Sequence, residues 1–275
     1  MNPNHFTLEN QRPLSRPRRS AWTVTLQTWE ALFLREAQNR LSGGKESLWI
    51  LLDPIWNMSI LLFVFTVIRG RVVIGMDITI WIMTGILTYA LFKGTMMQGM
   101  NAITPNRGLF IYRQIKPMDL ILIRGFMEAF LTIIITLILF SGAGLLRLPI
   151  IPTDPLTILL SGFSLWAIGL GAAMTTTIAT HFIPGMGKII TFLMMPLYVT
   201  SGVIFPVATL PLPYREWILI NPMLHGVESA RQAFSPYYHG VYGINLAYPY
   251  TIALIFIFLG LGLQRRFGQH LTDKP

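Results

Sequence analysis

Four ionisable residues fall inside or at the edge of long apolar runs: Asp53, Lys93, Arg124 and Glu128. Charges placed there are costly, so they commonly mark proton relays or ion paths. Their spacing does not make a relay. Asp53 and Arg124 lie near the ends of their runs. Glu128 follows Arg124 by four residues, the spacing of an ion pair on one helix face. Lys93 has a stem long enough to snorkel toward the interface, and also a charge that would attract an acidic polymer. Catalysis finds little support. The Gly44-Lys45 and Gly187-Lys188 pairs lack the upstream glycine and the following hydroxyl residue of a nucleotide-binding P-loop. No H-E-x-x-H, G-x-S-x-G or carboxylate cluster occurs, and His5, His181, His225, His239 and His270 are scattered. Without cysteine there is no disulfide, thiolate metal site or thiol nucleophile. No catalytic residue, metal site or cofactor is expected in this chain, so any ATP hydrolysis must come from another one.

The elements that must position these groups follow from composition. Charged residues make up 12% of the chain, hydrophobic residues 53%, and mean hydropathy is +0.55. A quarter charged is usual for soluble proteins. We therefore expect an all-α polytopic membrane protein of six transmembrane helices, at 48–68, 78–100, 120–146, 156–180, 189–210 and 246–263. The runs are continuous, without the alternation of barrel strands. Pro196 and Ser201-Gly202 interrupt the fifth, which is expected to turn back there. The first 47 residues lack an apolar core followed by a cleavage site, so a removable signal peptide is not expected.

Lys and Arg outside the spans set the orientation. One side holds Arg12, Arg16, Arg18, Arg19, Arg35, Arg40, Lys45, Arg107, Arg113, Lys116, Arg124, Lys188, Arg265, Arg266 and Lys274. The other holds only Arg69, Arg71, Arg147, Arg215 and Arg231. Fifteen against five places both termini in the cytoplasm, and makes the net charge of +9 a topology signal instead of a nucleic-acid footprint. After a basic tail (1–20), Trp22, Leu26, Trp29 and Phe33 recur on one helix face, which predicts an amphipathic helix over 21–39 at the inner interface. Between the fifth and sixth spans, Asn221-Pro222 reads as an N-cap followed by proline at the first helical position. A short helix to about Phe234 should follow, with Glu228 and Arg231 paired at i,i+3.

The loop Asn101–Asp119 is bounded by Thr104-Pro105 and Pro117 and carries Leu109, Phe110, Tyr112 and Ile115, an unusually apolar set for a loop facing water. It either rests on the membrane surface or docks into a partner protein. Its residues Asn106-Arg-Gly-Leu-Phe-Ile-Tyr-Arg-Gln-Ile-Lys-Pro-Met-Asp119 resemble the corresponding loop of capsular polysaccharide export permeases in the type-2 ABC exporter family. Glu30-Ala-Leu-Phe-Leu-Arg-Glu36 resembles that family's interface helix, and Leu48-Trp49 with Asp53-Pro54 the start of its first span. Asn221-Pro-Met-Leu-His-Gly-Val-Glu-Ser-Ala-Arg231, preceded by Ser201-Gly202 and Phe205-Pro206, resembles its outer-side signature. The arginine-rich tail before Trp22 has no counterpart in that pattern.

The resemblance implies one transmembrane domain over 21–275, working as a homodimer with two separate ATP-binding subunits that hold the ATP and magnesium. Arg107, Leu109, Phe110, Tyr112, Arg113 and Lys116 would couple to those subunits. The family moves lipid-linked polysaccharide from the cytoplasm across the bacterial inner membrane to periplasmic and outer-membrane export proteins. On this reading Ser201, Gly202, Phe205, Pro206, Asn221, Pro222, His225, Glu228 and Arg231, within 201–234, form re-entrant helices of an outer gate, or else a rigid periplasmic cap. Trp22, Trp29, Trp56, Tyr89, Phe92, Lys93 and Tyr198 are candidates for a glycan path, since aromatic faces suit sugar C–H faces. The same aromatics also suit an interfacial belt or a core. A permease for O-antigen, teichoic acid or drugs within the same family, or a stand-alone channel, remains open at this point.

Overall fold

The computed structural model describes residues 20–41, 44–65, 75–112 and 114–271, and among these there are helices and no strand. Helices α1 (Ala21–Leu41), α2 (Lys45–Phe63) and α3 (Ile78–Met100) lead into a 3-10 helix, Thr104–Ile111. Then come α4 (Pro117–Leu145), α5 (Pro155–Phe182), α6 (Met186–Thr200), α7 (Tyr214–Ile218), α8 (Pro222–Phe234) and α9 (Ala247–Phe267). Four of them, α3, α4, α5 and α9, are long and apolar enough to cross a membrane. The longest, α4, has 29 residues, about 44 Å at 1.5 Å per residue. Residues 1–19, 66–68 of the expected first span, and Arg113 lie outside the described residues.

Proline opens α4, α5 and α8, where a missing N–H costs no helix bond. Their starts are fixed locally. Asp119 accepts from the Lys116 N–H, Asp154 from Thr157, and Asn221 from Met223. Hydrogen bonding to the Thr157 hydroxyl and amide holds the exposed Asp154 carboxyl below its ordinary range.

The fifth apolar run is not one helix over 189–210. α6 stops at Thr200 after 15 residues, and Gly202 takes a left-handed φ of 73° that only glycine adopts freely. The chain then bends into a single 3-10 turn, Val207–Thr209. The break falls where Ser201-Gly202 was expected to put it. The helix over 21–39 also differs from expectation. It continues to Leu41, and only the later part of the Trp22–Leu26–Trp29–Phe33 face is covered. Trp22 and Leu26 are 78% and 63% exposed, whereas Trp29, Leu32 and Phe33 pack on α4 around Leu120 and Ile121. The last turns therefore face protein with Leu32 and Glu36, because α4 carries charges that need partners.

α3 runs through the centre, its Trp81, Ile82, Ile86, Tyr89 and Phe92 packing against Leu165, Ile168 and Ala172 of α5 and Val227 of α8. Where lipid replaces water, helices associate through close packing and polar contacts more than through hydrophobic transfer. α5 and α9 meet along their length at glycines: a Cβ on Gly171 would lie 2.7 Å from the Ile257 backbone nitrogen, and one on Gly260 would strike Met174. The Gln264 amide donates to the Met174 carbonyl at 3.1 Å in the same seam.

Candidate functional site

The two ends of the bundle each gather polar groups. At one end α8 is enclosed by α3, α5 and α9, and Glu228 and Arg231 are fully buried. The pair bonds at 2.8 Å between Arg231 Nη1 and Glu228 Oε1. The same guanidinium donates to the Gly202 carbonyl at 2.8 Å and to the Trp81 carbonyl at 3.3 Å, and lies 3.6 Å over the Trp81 ring. Trp81 Nε1 donates to the Tyr238 hydroxyl, which donates onward to Glu228 Oε2 at 2.9 Å. Burial, reinforced by Glu228, pushes the Tyr238 phenol well above its ordinary pKa, so it keeps its proton as the donor in this ring. No Cβ fits at Gly85 without displacing the Arg231 guanidinium.

The neighbouring residues complete this knot. Ser201 is fully buried and donates to the Tyr198 carbonyl. The Asn221 amide donates to Thr200 Oγ1 at 2.9 Å, tying the end of α6 to the start of α8. His225 accepts the Asn245 N–H on Nδ1, which leaves Nε2 to donate to the Leu219 carbonyl at 2.8 Å. Pro206 is buried and Phe205 packs with Val207, Leu224 and Val241. Every residue expected at the outer gate is thus gathered around one buried short helix.

At the opposite end α1, α3 and α4 share a looser network. Arg40 pairs with Glu36 at 3.2 Å and also with Glu128, while Arg124 pairs with Glu36 at 3.3 Å. The expected Arg124–Glu128 pair on α4 does not form. Each instead reaches across to α1, which covers this stretch of α4 and supplies opposite charges at closer range. Arg124 also donates to the Asn101 and Gln98 carbonyls at the end of α3. Trp29 Nε1 donates to Asp119 at 3.0 Å, and Arg35 bonds the buried side chain of Asn106 on the 3-10 helix.

That 3-10 helix is the expected coupling segment, and its side chains divide. Leu109 and Phe110 turn inward onto α1 and α4. Ile111 and Tyr112 are 83% and 65% exposed, with Arg107 and Lys116 exposed beside them. The projecting apolar tip is therefore Ile111-Tyr112 instead of Leu109-Phe110.

Of the candidate path residues, Tyr89, Phe92 and Tyr198 are brought together in one aromatic cluster and the others are not. Tyr89 and Phe92 lie in the packed interior, with the Tyr89 hydroxyl donating to the Met194 carbonyl and its ring 5.0 Å from that of Tyr198. Trp29 is held by Asp119, and Trp22 and Trp56 are 78% and 67% exposed on α1 and α2. Lys93 is exposed on α3. Sequence reasoning missed Trp81, Tyr238, Glu36, Arg40 and Asn106. Only Glu36 and Arg40, at i,i+4, carried a local signal.

Comparison with known proteins matches this arrangement to a family. The ABC-2 type transporter model matches residues 27–235, which takes in most of α1, the 3-10 helix and α8. The chain is 30% identical to the polysialic acid transport protein KpsM of Escherichia coli, over 90% of this chain and 96% of that one. It is 26% identical to the capsule polysaccharide export inner-membrane protein CtrC of Neisseria meningitidis serogroup A, over 89% and 92%. For BexB of Haemophilus influenzae, named likewise, the identity is 24% over the same shares. These relatives are transport proteins and not enzymes, and α3, α4, α5 and α9 give this chain the matching multi-pass membrane body. The chain belongs to the ABC-2 type transporter family.

Proposed function

We propose that this chain is the inner-membrane permease of an ATP-driven exporter of capsular polysaccharide. The observation that carries the reading is end-to-end similarity: 96% of a polysialic acid transporter and 92% of a capsule exporter are covered, including both polar ends of the bundle. Polysialic acid is a polymer of carboxylates, so an acidic, lipid-linked glycan is the cargo class we infer. Two copies would form the path between them, with α2 and α6 as crossings shorter than α3, α4, α5 and α9. The α1 end faces the cytoplasm, as the basic residues gathered there support. On that side α1 lies at the interface with Trp22 and Leu26 toward lipid. Two ATP-binding subunits, which supply ATP and magnesium, seat the Ile111-Tyr112 tip with Arg107, Arg113 and Lys116. The α8 end meets the periplasmic and outer-membrane export proteins.

Mechanically, a push on the tip passes through Arg35–Asn106 and Trp29–Asp119 to α1 and α4, then along α4 to the far end. The α8 knot moves there as one block, since Gly202 and the α6 end are bonded to it. Expression in a capsule-producing strain lacking its own permease tests the reading. Surface polymer should return only when the cognate ATP-binding subunit is supplied. Recovery of O-antigen or of drug resistance without capsule would overturn the cargo assignment, and transport by the purified chain alone would overturn the ATP-driven one.

A further inference from the structure

Every residue of α3 but one is at least partly covered by the rest of the chain, and the exception is Lys93. The helical repeat places Thr79, Ile82, Ile86 and Lys93 on one face. Nearer the α8 end that face is sheltered by α2. Thr79 and Ile82 share a small cavity of about 110 Å³ with Ile55, Met58 and Leu62 of α2 and Leu139 of α4, and Ile86 is buried. At Lys93 the cover stops. One turn away, Tyr89 is bonded to Met194 of α6. Lys93 therefore stands exposed on α3, past the stretch that α2 covers.

The lysine stands about 10 Å from the Met100 end of α3 at 1.5 Å per residue. An ammonium at that depth against lipid is costly unless its stem carries it to the interface or it meets a partner or a water-filled cavity. Arg40 and Arg124, close to the same end, have each met carboxylates. Among the described residues Lys93 has neither an ion pair nor a hydrogen bond. Asp53 on α2, also exposed, takes an amide from Asn57 on its own helix and makes no ion pair with Lys93.

We propose that Lys93 is a specificity-determining contact for anionic groups, carboxylate or phosphate, on the polymer as it passes this face of α3. The proposal rests on the polysaccharide-export reading and adds the residue that reads charge. The side chain suits the task. A compact ammonium on a flexible stem has three rotatable donors and no fixed fork, so it can hold one anionic unit, release it and take the next. A bidentate arginine would bind each unit more rigidly.

The test uses the permease reconstituted with its ATP-binding subunits in vesicles, with polymer-stimulated ATP hydrolysis as the readout. The probes are polysialic acid oligomers and the same oligomers with their carboxylates converted to neutral methyl esters. Lys93→Gln should raise the half-saturating concentration of the acidic probe about tenfold, the scale of one charge-assisted contact. It should leave the ester response unchanged, and Lys93→Arg should restore most of the acidic response. Equal losses on both probes would assign Lys93 a structural role and overturn the proposal, as would no loss on either. Recovery of a defective Lys93→Asp protein by Asp53→Lys would also overturn it, by showing that Asp53 is the partner the lysine needs. If the wild-type complex responds to neither probe, the export reading falls and this inference with it.

Discussion

At the α8 end, Glu228 and Arg231 are wholly enclosed and their polar atoms all find partners. The α1 end uses the same kinds of residues differently. There the paired side chains of Glu36, Arg40, Arg124 and Glu128 keep 10–15% exposure. Arg35, Arg40 and Arg124 each keep a nitrogen without a hydrogen-bond partner among the described residues. A buried network with every member satisfied specifies one arrangement, because any alternative strands a charge. A network with spare donors can exchange partners at little cost. The difference separates a rigid block from a joint, and the joint sits beside the exposed tip where we place the ATP-binding subunits.

Breaking the block should give the largest effect. Arg231→Met leaves Glu228 buried and unpaired, and should cost about 3–5 kcal/mol in unfolding of the detergent-solubilised protein. Adding Glu228→Gln should recover much of that loss, and an unchanged melting temperature in the single variant would refute the rigid-block account. Next comes a paired comparison of glycines. Gly85→Ala drives a methyl into the fixed Arg231 guanidinium and should cost about 1–3 kcal/mol. Gly94→Ala meets only the end of the Glu128 side chain, which can swing aside, and should cost clearly less in the same melting assay.

Asn221→Ala removes the cap of α8 and its tie to Thr200, and should cost about 1 kcal/mol. Arg40→Ala and Glu128→Ala, at the joint, should each cost about 1 kcal/mol, less than the block because the stranded partner keeps some access to water. A double-mutant cycle between them would show whether the pair is worth more in the presence of the ATP-binding subunit than without it. The smallest effect on folding belongs to the tip. Tyr112→Ala should stay within about 0.5 kcal/mol of wild type, since its side chain is exposed, while lowering ATP hydrolysis by the assembled complex. Unchanged hydrolysis would remove the tip from the coupling path.

The sequence announces α3, α4, α5 and α9 because each is an uninterrupted apolar run, and it announces α8 through Asn221-Pro222 and the Glu228–Arg231 spacing. The break after Thr200 was legible in Ser201-Gly202. What the sequence hides is tertiary choice. Arg124 and Glu128 stand four residues apart and still pair with α1, because partners from another helix approach more closely than the local spacing suggests. The ring around Glu228 needs Trp81, 157 residues before Tyr238, and nothing in an apolar span distinguishes that tryptophan from its neighbours. The inward turn of Leu109 and Phe110 likewise depends on α1 lying over them.

The glycine seam between α5 and α9 has a bearing on how the protein is made. α5 leaves the ribosome well before α9, and at about 5–20 residues per second the intervening chain takes several seconds to synthesise. Through that interval Gly171 faces outward from a helix already in the membrane, with a groove shaped for a backbone that does not yet exist. Whatever lines that groove meanwhile, lipid or the insertion machinery, has to yield to α9. A late mutation that gives Gly260 a side chain would leave the earlier helices correctly inserted and the seam unfilled, an assembly fault that appears only after nearly all of the synthesis is done.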